Sequence, residues 1–123
     1  VGKTRYVVER CEEEYPDDWY MHTGTDKWWD GYDGHRALIL DDFRGDFAKL
    51  HRMLKLLDRY RVKVEVKGGY RELRAETIYI TSDRSPEGCY PSATESEHAQ
   101  LLRRIHKIIE MTAPDGMLNY IKG

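Results

Sequence analysis

The sequence is poor in thiols. Cys11 and Cys89 are its two cysteines in 123 residues, with no metal-ligand spacing and too few for a disulfide framework. We expect both as free thiols in a reducing compartment. No apolar run approaches the ~20 residues of a membrane span; Ala37-Leu38-Ile39-Leu40 is typical of the longest, so no membrane partner is expected. Charged residues recur from Lys3 onward, which does not fit a secretory signal, and a secreted product is not expected. An excess of one sign is also missing: 20 Lys+Arg face 22 Asp+Glu, for a net charge of −2. Bulk charge therefore excludes a domain that binds nucleic acid over its whole surface, and any such site must be local. The histidines, His22, His35, His51, His98 and His106, fall at no spacing that would share a metal. There is no internal repeat and no low-complexity stretch. Nor is there an initiating Met: Val1-Gly2-Lys3-Thr4 runs straight into a helical pattern, so we expect residues upstream of Val1.

What is present suits one soluble globular domain, with 40% hydrophobic and 34% charged residues. A helix is predicted over Thr4 to about Glu14, stopped before Pro16, and a short strand over Trp19 to His22. Gly24 to Gly34 reads as an aromatic, glycine-rich loop. Ala37 to Leu40 is continuously apolar, as in a strand covered on both faces. The clearest helix runs from Asp46 to Tyr60, where Phe47, Leu50, Leu54 and Leu57 form one stripe. From Arg61 to Lys67 the period changes to two, with Val62, Val64 and Val66 alternating with Lys63, Glu65 and Lys67, and Gly68-Gly69 then turns a hairpin. A strand follows over Glu76 to Thr81, a Pro/Gly loop over Ser85 to Ser92, and a helix capped by Thr94 or Ser96 that reaches about Met111. Thr112 to Gly123 reads as a C-terminal tail after a core of residues 1–111. Interleaved helices and strands of this kind predict an α/β layer fold.

Gly2-Lys3-Thr4 before a helix matches the last three positions of the phosphate loop G-x-x-x-x-G-K-[ST]. In that motif helix-terminal N–H groups surround phosphate oxygens, the lysine reaches the β- and γ-phosphates, and the hydroxyl ligates Mg²⁺. The motif's earlier positions would precede Val1. A nucleotide hydrolase also needs an acid at the end of a buried strand beside the loop, and Ala37-Leu38-Ile39-Leu40-Asp41-Asp42 has that form. The second carboxylate can orient or deprotonate the attacking water. A third element is the strand Thr77 to Thr81 running into Ser82-Asp83, where a polar side chain can reach the γ-phosphate or the water.

With Lys27-Trp28-Trp29-Asp30-Gly31-Tyr32-Asp33-Gly34, Leu38 to Gly45, Leu57-Asp58-Arg59-Tyr60, Val64 to Gly69, Ile80 to Asp83 and Arg103-Arg104-Ile105, these stretches resemble the superfamily-three helicase domain of replication-associated (Rep) proteins of circoviruses and related circular single-stranded DNA viruses. The resemblance spans about residues 1–110 and implies a three-layer, AAA+-like P-loop NTPase fold with a mostly parallel sheet and an inserted β-hairpin. It implies that Gly2, Lys3 and Thr4 end the Walker A loop and bind ATP, with Thr4 and Asp41 toward Mg²⁺ and Asp42 toward the attacking water. Lys67 is similar to the family's pore-loop lysine, with Lys63 beside it on the hairpin, and Arg103 or Arg104 falls where an arginine finger reaches a neighbouring subunit. Asp83 stands where the family usually has a polar Asn sensor; ionised Asp accepts hydrogen bonds but donates none. A hexameric ring on single-stranded DNA is implied, in the host nucleus, or in the cytoplasm if the virus is not a DNA virus. With the front of the phosphate loop absent, this stretch alone is expected to be inactive.

Other readings stand beside these. Trp28, Trp29 and Tyr32 can stack on bases or anchor their loop in the core, and Lys63, Lys67 and Arg71 can line a pore or a solvated hairpin. Arg59 and Arg61 read as surface. An RNA helicase of a small RNA virus shares the nucleotide motifs, and a Rep-derived module that binds nucleic acid or oligomerises without hydrolysis is the alternative from another class.

Overall fold

A computed structural model describes residues 2–58, 62–110 and 118–122. Arg59, Tyr60 and Arg61 lie outside the described residues. Helix α1 (Lys3–Glu14) is followed by strands β1 (Trp19–His22) and β2 (Ala37–Leu40), helix α2 (Leu50–Leu57), the hairpin β3 (Lys63–Val66) and β4 (Gly69–Glu72), and strand β5 (Thr77–Ser82). A short helix α3 (Pro86–Cys89), helix α4 (Glu95–Arg104) and strands β6 (Lys107–Glu110) and β7 (Leu118–Lys122) complete the order.

The main sheet is ordered β1-β2-β5-β7-β6, with β1, β2 and β5 mutually parallel. Every residue of β2 and β5 is buried, which a strand achieves only when both faces of its sheet are covered. The two-residue period divides the side chains. Ala37, Ile39 and Tyr79 pack with Val7 and Cys11 of α1, while Leu38, Leu40, Ile78 and Ile80 pack with Leu50, Met53, Leu56 and Leu57 of α2 and Leu101 of α4. Helices on both faces of a partly parallel sheet give the expected three-layer α/β architecture. Thr94 caps α4, and Glu97 reaches back to the Thr94 N–H, so both halves of a capping box are made.

Three segments depart from the sequence pattern. The apolar stripe from Asp46 becomes helical only at Leu50, because the carbonyls that would start the helix are taken elsewhere. Asp26 N–H donates to Phe47 O at 2.8 Å and the Tyr90 hydroxyl to Ala48 O at 2.7 Å. Phe47 still reaches the core from this turn. The Ser85 to Ser92 loop contains α3, which Ser85 caps through Gly88 N–H. The last helix stops at Arg104 instead of about Met111, and Lys107–Glu110 pairs antiparallel with Leu118–Lys122, which in turn pairs with β5. Ile108 and Ile109 favour an extended chain over another helical turn, and Leu118–Lys122, laid along β5, gives that chain a strand to pair with.

A side chain at Gly45 would meet the backbone carbonyl of Cys89, which has no flexible end to move aside. Gly45→Ala is therefore expected to cost about 1–3 kcal/mol, read as an earlier urea midpoint with an unchanged slope.

Burial raises the thiol of Cys11 from 9.0 to about 11 and the hydroxyl of Tyr79 from 10.0 to about 12, in each case with help from the charge of Glu14. Both groups bind their protons more tightly folded than unfolded. Their contribution to stability is complete below about pH 9 and is lost as the pH rises through 9–11 for Cys11 and 10–12 for Tyr79. Urea unfolding across that range is expected to show stability falling, with Cys11→Ala removing the lower part of the fall.

Candidate functional site

The parallel strands carry their polar residues to one end. The register sets Leu40 of β2 beside His22 of β1 and Ile80 of β5, so Asp41 and Thr81 emerge as neighbours just beyond the apolar runs. Thr81 is fully buried and donates its hydroxyl to Asp41 Oδ1 at 2.8 Å. Thr4, in the first turn of α1, donates to the same oxygen at 2.7 Å. One carboxylate oxygen thus joins the helix start and the ends of two strands. The Thr81 hydroxyl also accepts from Asp42 N–H at 2.8 Å, while Phe43 N–H donates to Thr81 O and Asp41 N–H to His22 O.

Asp42 has φ of 54°, a left-handed conformation that Asp tolerates better than most residues. The turn sends its carboxylate outward, where it is 58% exposed and 3.8 Å from Arg44. Asp41 and Asp42 line an open cleft with Thr23, Gly24, Thr25, Arg44 and Asp46. The adjacent carboxylates thus stand in different surroundings, one bridged by two hydroxyls and the other in solvent.

Gly2 is the N-cap of α1 and Lys3 its first residue; no side chain caps the helix and no acid occupies its first turn. Its leading N–H groups and positive dipole end are accordingly available to an anion. Hard oxygen donors at Thr4, Asp41 and Asp42 suit Mg²⁺, which is usually held by one or two carboxylates with substrate phosphates rather than by an all-protein cage. Among the described residues no group of three or more His, Cys, Asp or Glu is placed to hold a metal ion by itself.

The structure does not bring all the candidates together. Asp83 is half exposed beyond the strand, 3.9 Å from Arg84. The polar groups buried at that strand end are Thr81 and Ser82, the latter donating to Phe43 O. Arg104 is held by Asp58 at 3.4 Å and donates to Gln100 O, whereas Arg103, its neighbour, is exposed and has no ion pair among the described residues.

The aromatic loop divides as well. Trp29 and Tyr32 are core residues, while Trp28, with φ of 54°, is 57% exposed. Trp29 stacks on His22 with ring centroids 4.4 Å apart and donates Nε1–H to Asp26. The loop then grips the hairpin, as Trp29 N–H donates to Glu65 O and Lys67 N–H to Asp30 Oδ1. Arg52 links Asp26 to Lys63 O. Lys63 and Lys67 are exposed, and no ion pair holds either ammonium group among the described residues.

A description of the RNA helicase family matches residues 1–84. The chain belongs to that family. It is 40% identical to the replication-associated protein of goose circovirus over 94% of this chain and 36% of that protein. Identity is 41% to that of porcine circovirus 1, over 85% and 32%, and 44% to that of canary circovirus, over 87% and 34%. The helicase chain spans about a third of the length of these curated relatives. Among the described residues no helix is long and apolar enough to cross a membrane.

Sequence reasoning centred the third polar element on Asp83 and gave Thr81 no role. The available signal was register: an apolar strand that pairs in parallel with Ala37–Leu40 and ends in Thr has its hydroxyl beside the first acid. Thr81→Val keeps the shape but removes the hydroxyl from Asp41 Oδ1 and Asp42 N–H. We expect a loss of about 1–3 kcal/mol in urea unfolding, with Thr81→Ser recovering most of it.

Proposed function

We propose that this domain is the ATPase motor of a viral replicative helicase, hydrolysing ATP with Mg²⁺ and moving on single-stranded DNA in rolling-circle replication. The observation that carries the reading is the convergence of Thr4 and Thr81 on one oxygen of Asp41, beside the uncapped start of α1. Gly2 and Lys3 bind the nucleotide phosphates there. Thr4 and Asp41 hold Mg²⁺, which supplies positive charge against the developing charge of the phosphoryl group. Asp42, free in the cleft, orients the attacking water and takes its proton. Asp83 faces Arg84, so its charge is countered by a cation, and this supports hydrolysis despite the departure from Asn.

The active assembly is a homo-oligomeric ring, a hexamer in our reading, with ATP between subunits. Arg103 rather than Arg104 reaches across, since Arg104 is committed to Asp58 within its own chain. Lys67 at the hairpin tip, with Lys63 below it, holds the backbone of the strand; a few charges per subunit suffice when a ring repeats them. The similarity to circovirus replication-associated proteins favours DNA and a nuclear site of action.

The test is Mg²⁺-dependent ATP hydrolysis by the chain as it stands and by the chain preceded by a whole phosphate loop. Single-stranded DNA, single-stranded RNA or neither is added. We expect DNA-stimulated turnover with the whole loop only, and a loss of roughly 10²-fold or more with Lys3→Ala, the scale on which removing a charge-stabilising donor acts. Stimulation by RNA alone would transfer the motor to RNA. No turnover in folded, assembled protein would sink the motor and leave a module that binds without hydrolysis.

A further inference from the structure

The hairpin register separates its two faces. Val64 and Val66 are buried, so the residues alternating with them, Lys63 and Glu65, point outward, and Tyr70 and Glu72 stand directly opposite Glu65 and Lys63. Tyr70 is 63% exposed. Strongly exposed large hydrophobic side chains are few among the described residues: Trp28, Tyr70 and Ile108. The first two belong to the hairpin or to the loop hydrogen-bonded along β3. On the Tyr70 face stands the exposed cation Lys63, with Lys67 at the tip, whereas Arg71 is paired with buried Val64 on the other face and lies 3.9 Å from Asp33.

The charges around the ring define what it can meet. Glu65, across from Tyr70, repels a phosphate from the middle of this face, Glu72 beyond it is countered by Arg74 at 3.5 Å, and Lys67 at the tip attracts a phosphate. A ligand that places its phosphate at the tip and an uncharged planar group over the strand satisfies both, and a nucleotide of a single strand has that construction. Every base has a π-face, so such contact tolerates any sequence.

We propose that Tyr70 stacks on a base of the single strand whose backbone Lys67 holds. This rests on the reading of the hairpin as a nucleic-acid contact. In a duplex the base faces are occupied by their neighbours, so the contact selects single strands.

Binding is read by fluorescence anisotropy on the full chain, with an oligothymidine strand and a deoxyribose-phosphate strand of equal length lacking bases. Tyr70→Ala is expected to weaken oligothymidine binding about 5- to 150-fold and to leave the abasic strand unchanged. Tyr70→Phe, which keeps the ring, is expected to bind both as the original chain does, and Lys67→Ala to weaken both. The stacking is overturned if Tyr70→Ala binds oligothymidine normally, or if it weakens both strands alike. If Lys67→Ala changes neither strand, the lysine contact fails, and the Tyr70 result on oligothymidine then decides the stacking alone. Thermal unfolding of Tyr70→Ala at the original temperature confirms that the exposed substitution leaves the fold intact.

Discussion

A single carboxylate oxygen organises the working end of this domain. Asp41 Oδ1 takes hydroxyl hydrogens from Thr4 and Thr81, so the start of α1 and the ends of β2 and β5 meet at one acceptor. Hydrogen bonds to an ionised group are worth about 1.5–3 kcal/mol each, enough to fix rotamers at a cleft edge where packing is thin. Parallel pairing makes this possible. Only strands that run in one direction deliver residues following their apolar stretches to the same edge, and only a sheet covered on both faces can make those stretches wholly apolar.

From that edge a continuous set of contacts runs to the hairpin. Asp41 N–H donates to His22 O, the His22 ring stacks on Trp29, and Trp29 N–H donates to Glu65 O on β3. His22 Nε2 lies 2.7 Å from Thr25 O; because a carbonyl only accepts, this nitrogen carries the hydrogen. The stack also includes Phe47, edge-on to His22 and Trp29, and Phe47 O receives Asp26 N–H. The glycine-rich loop is therefore a rigid bracket between the acid-bearing strand and the lysine-bearing hairpin. This accounts for two tryptophans with opposite fates: Trp29 is the bracket's buried pin, and Trp28 is the adjacent side chain that the same turn leaves outside.

Much of this was legible in sequence, for physical reasons that also mark where legibility ended. The buried strands announced themselves because Ala37 to Leu40 contains no polar residue. The hairpin did so because Val62, Val64 and Val66 alternate with charge before two glycines, one with φ of 89°. Periodicity failed at Asp46–Lys49, where the apolar spacing is helical but Asp26 and Tyr90 compete for the carbonyls, a tertiary effect invisible locally. It failed again after Arg104, since Ile108 and Ile109 fit either a helix face or a strand until the partner strand Leu118–Lys122 is known. Thr81 was overlooked for a related reason. A hydroxyl at a strand end is unremarkable until the register of the neighbouring strand shows which carboxylate it meets.

The two acids at the end of β2 show how one dipeptide can hold two environments. Asp41 continues the strand direction, and two hydroxyls donate to its Oδ1, which fixes the carboxylate without using the lone pairs of Oδ2. One residue later the chain turns left-handed, a conformation disfavoured for most side chains, and Thr81 accepts the Asp42 N–H that would otherwise lack a strand partner. The cost of the turn is met by that bond, and its effect is to swing the second carboxylate away from the first, toward Arg44 and the cleft. Two like charges on successive residues are thereby separated without burying either one unpaired. In the proposed motor a metal-facing oxygen held still and a solvent-facing carboxylate free to take a proton require opposite environments, and the buried threonine at the end of β5 supports both.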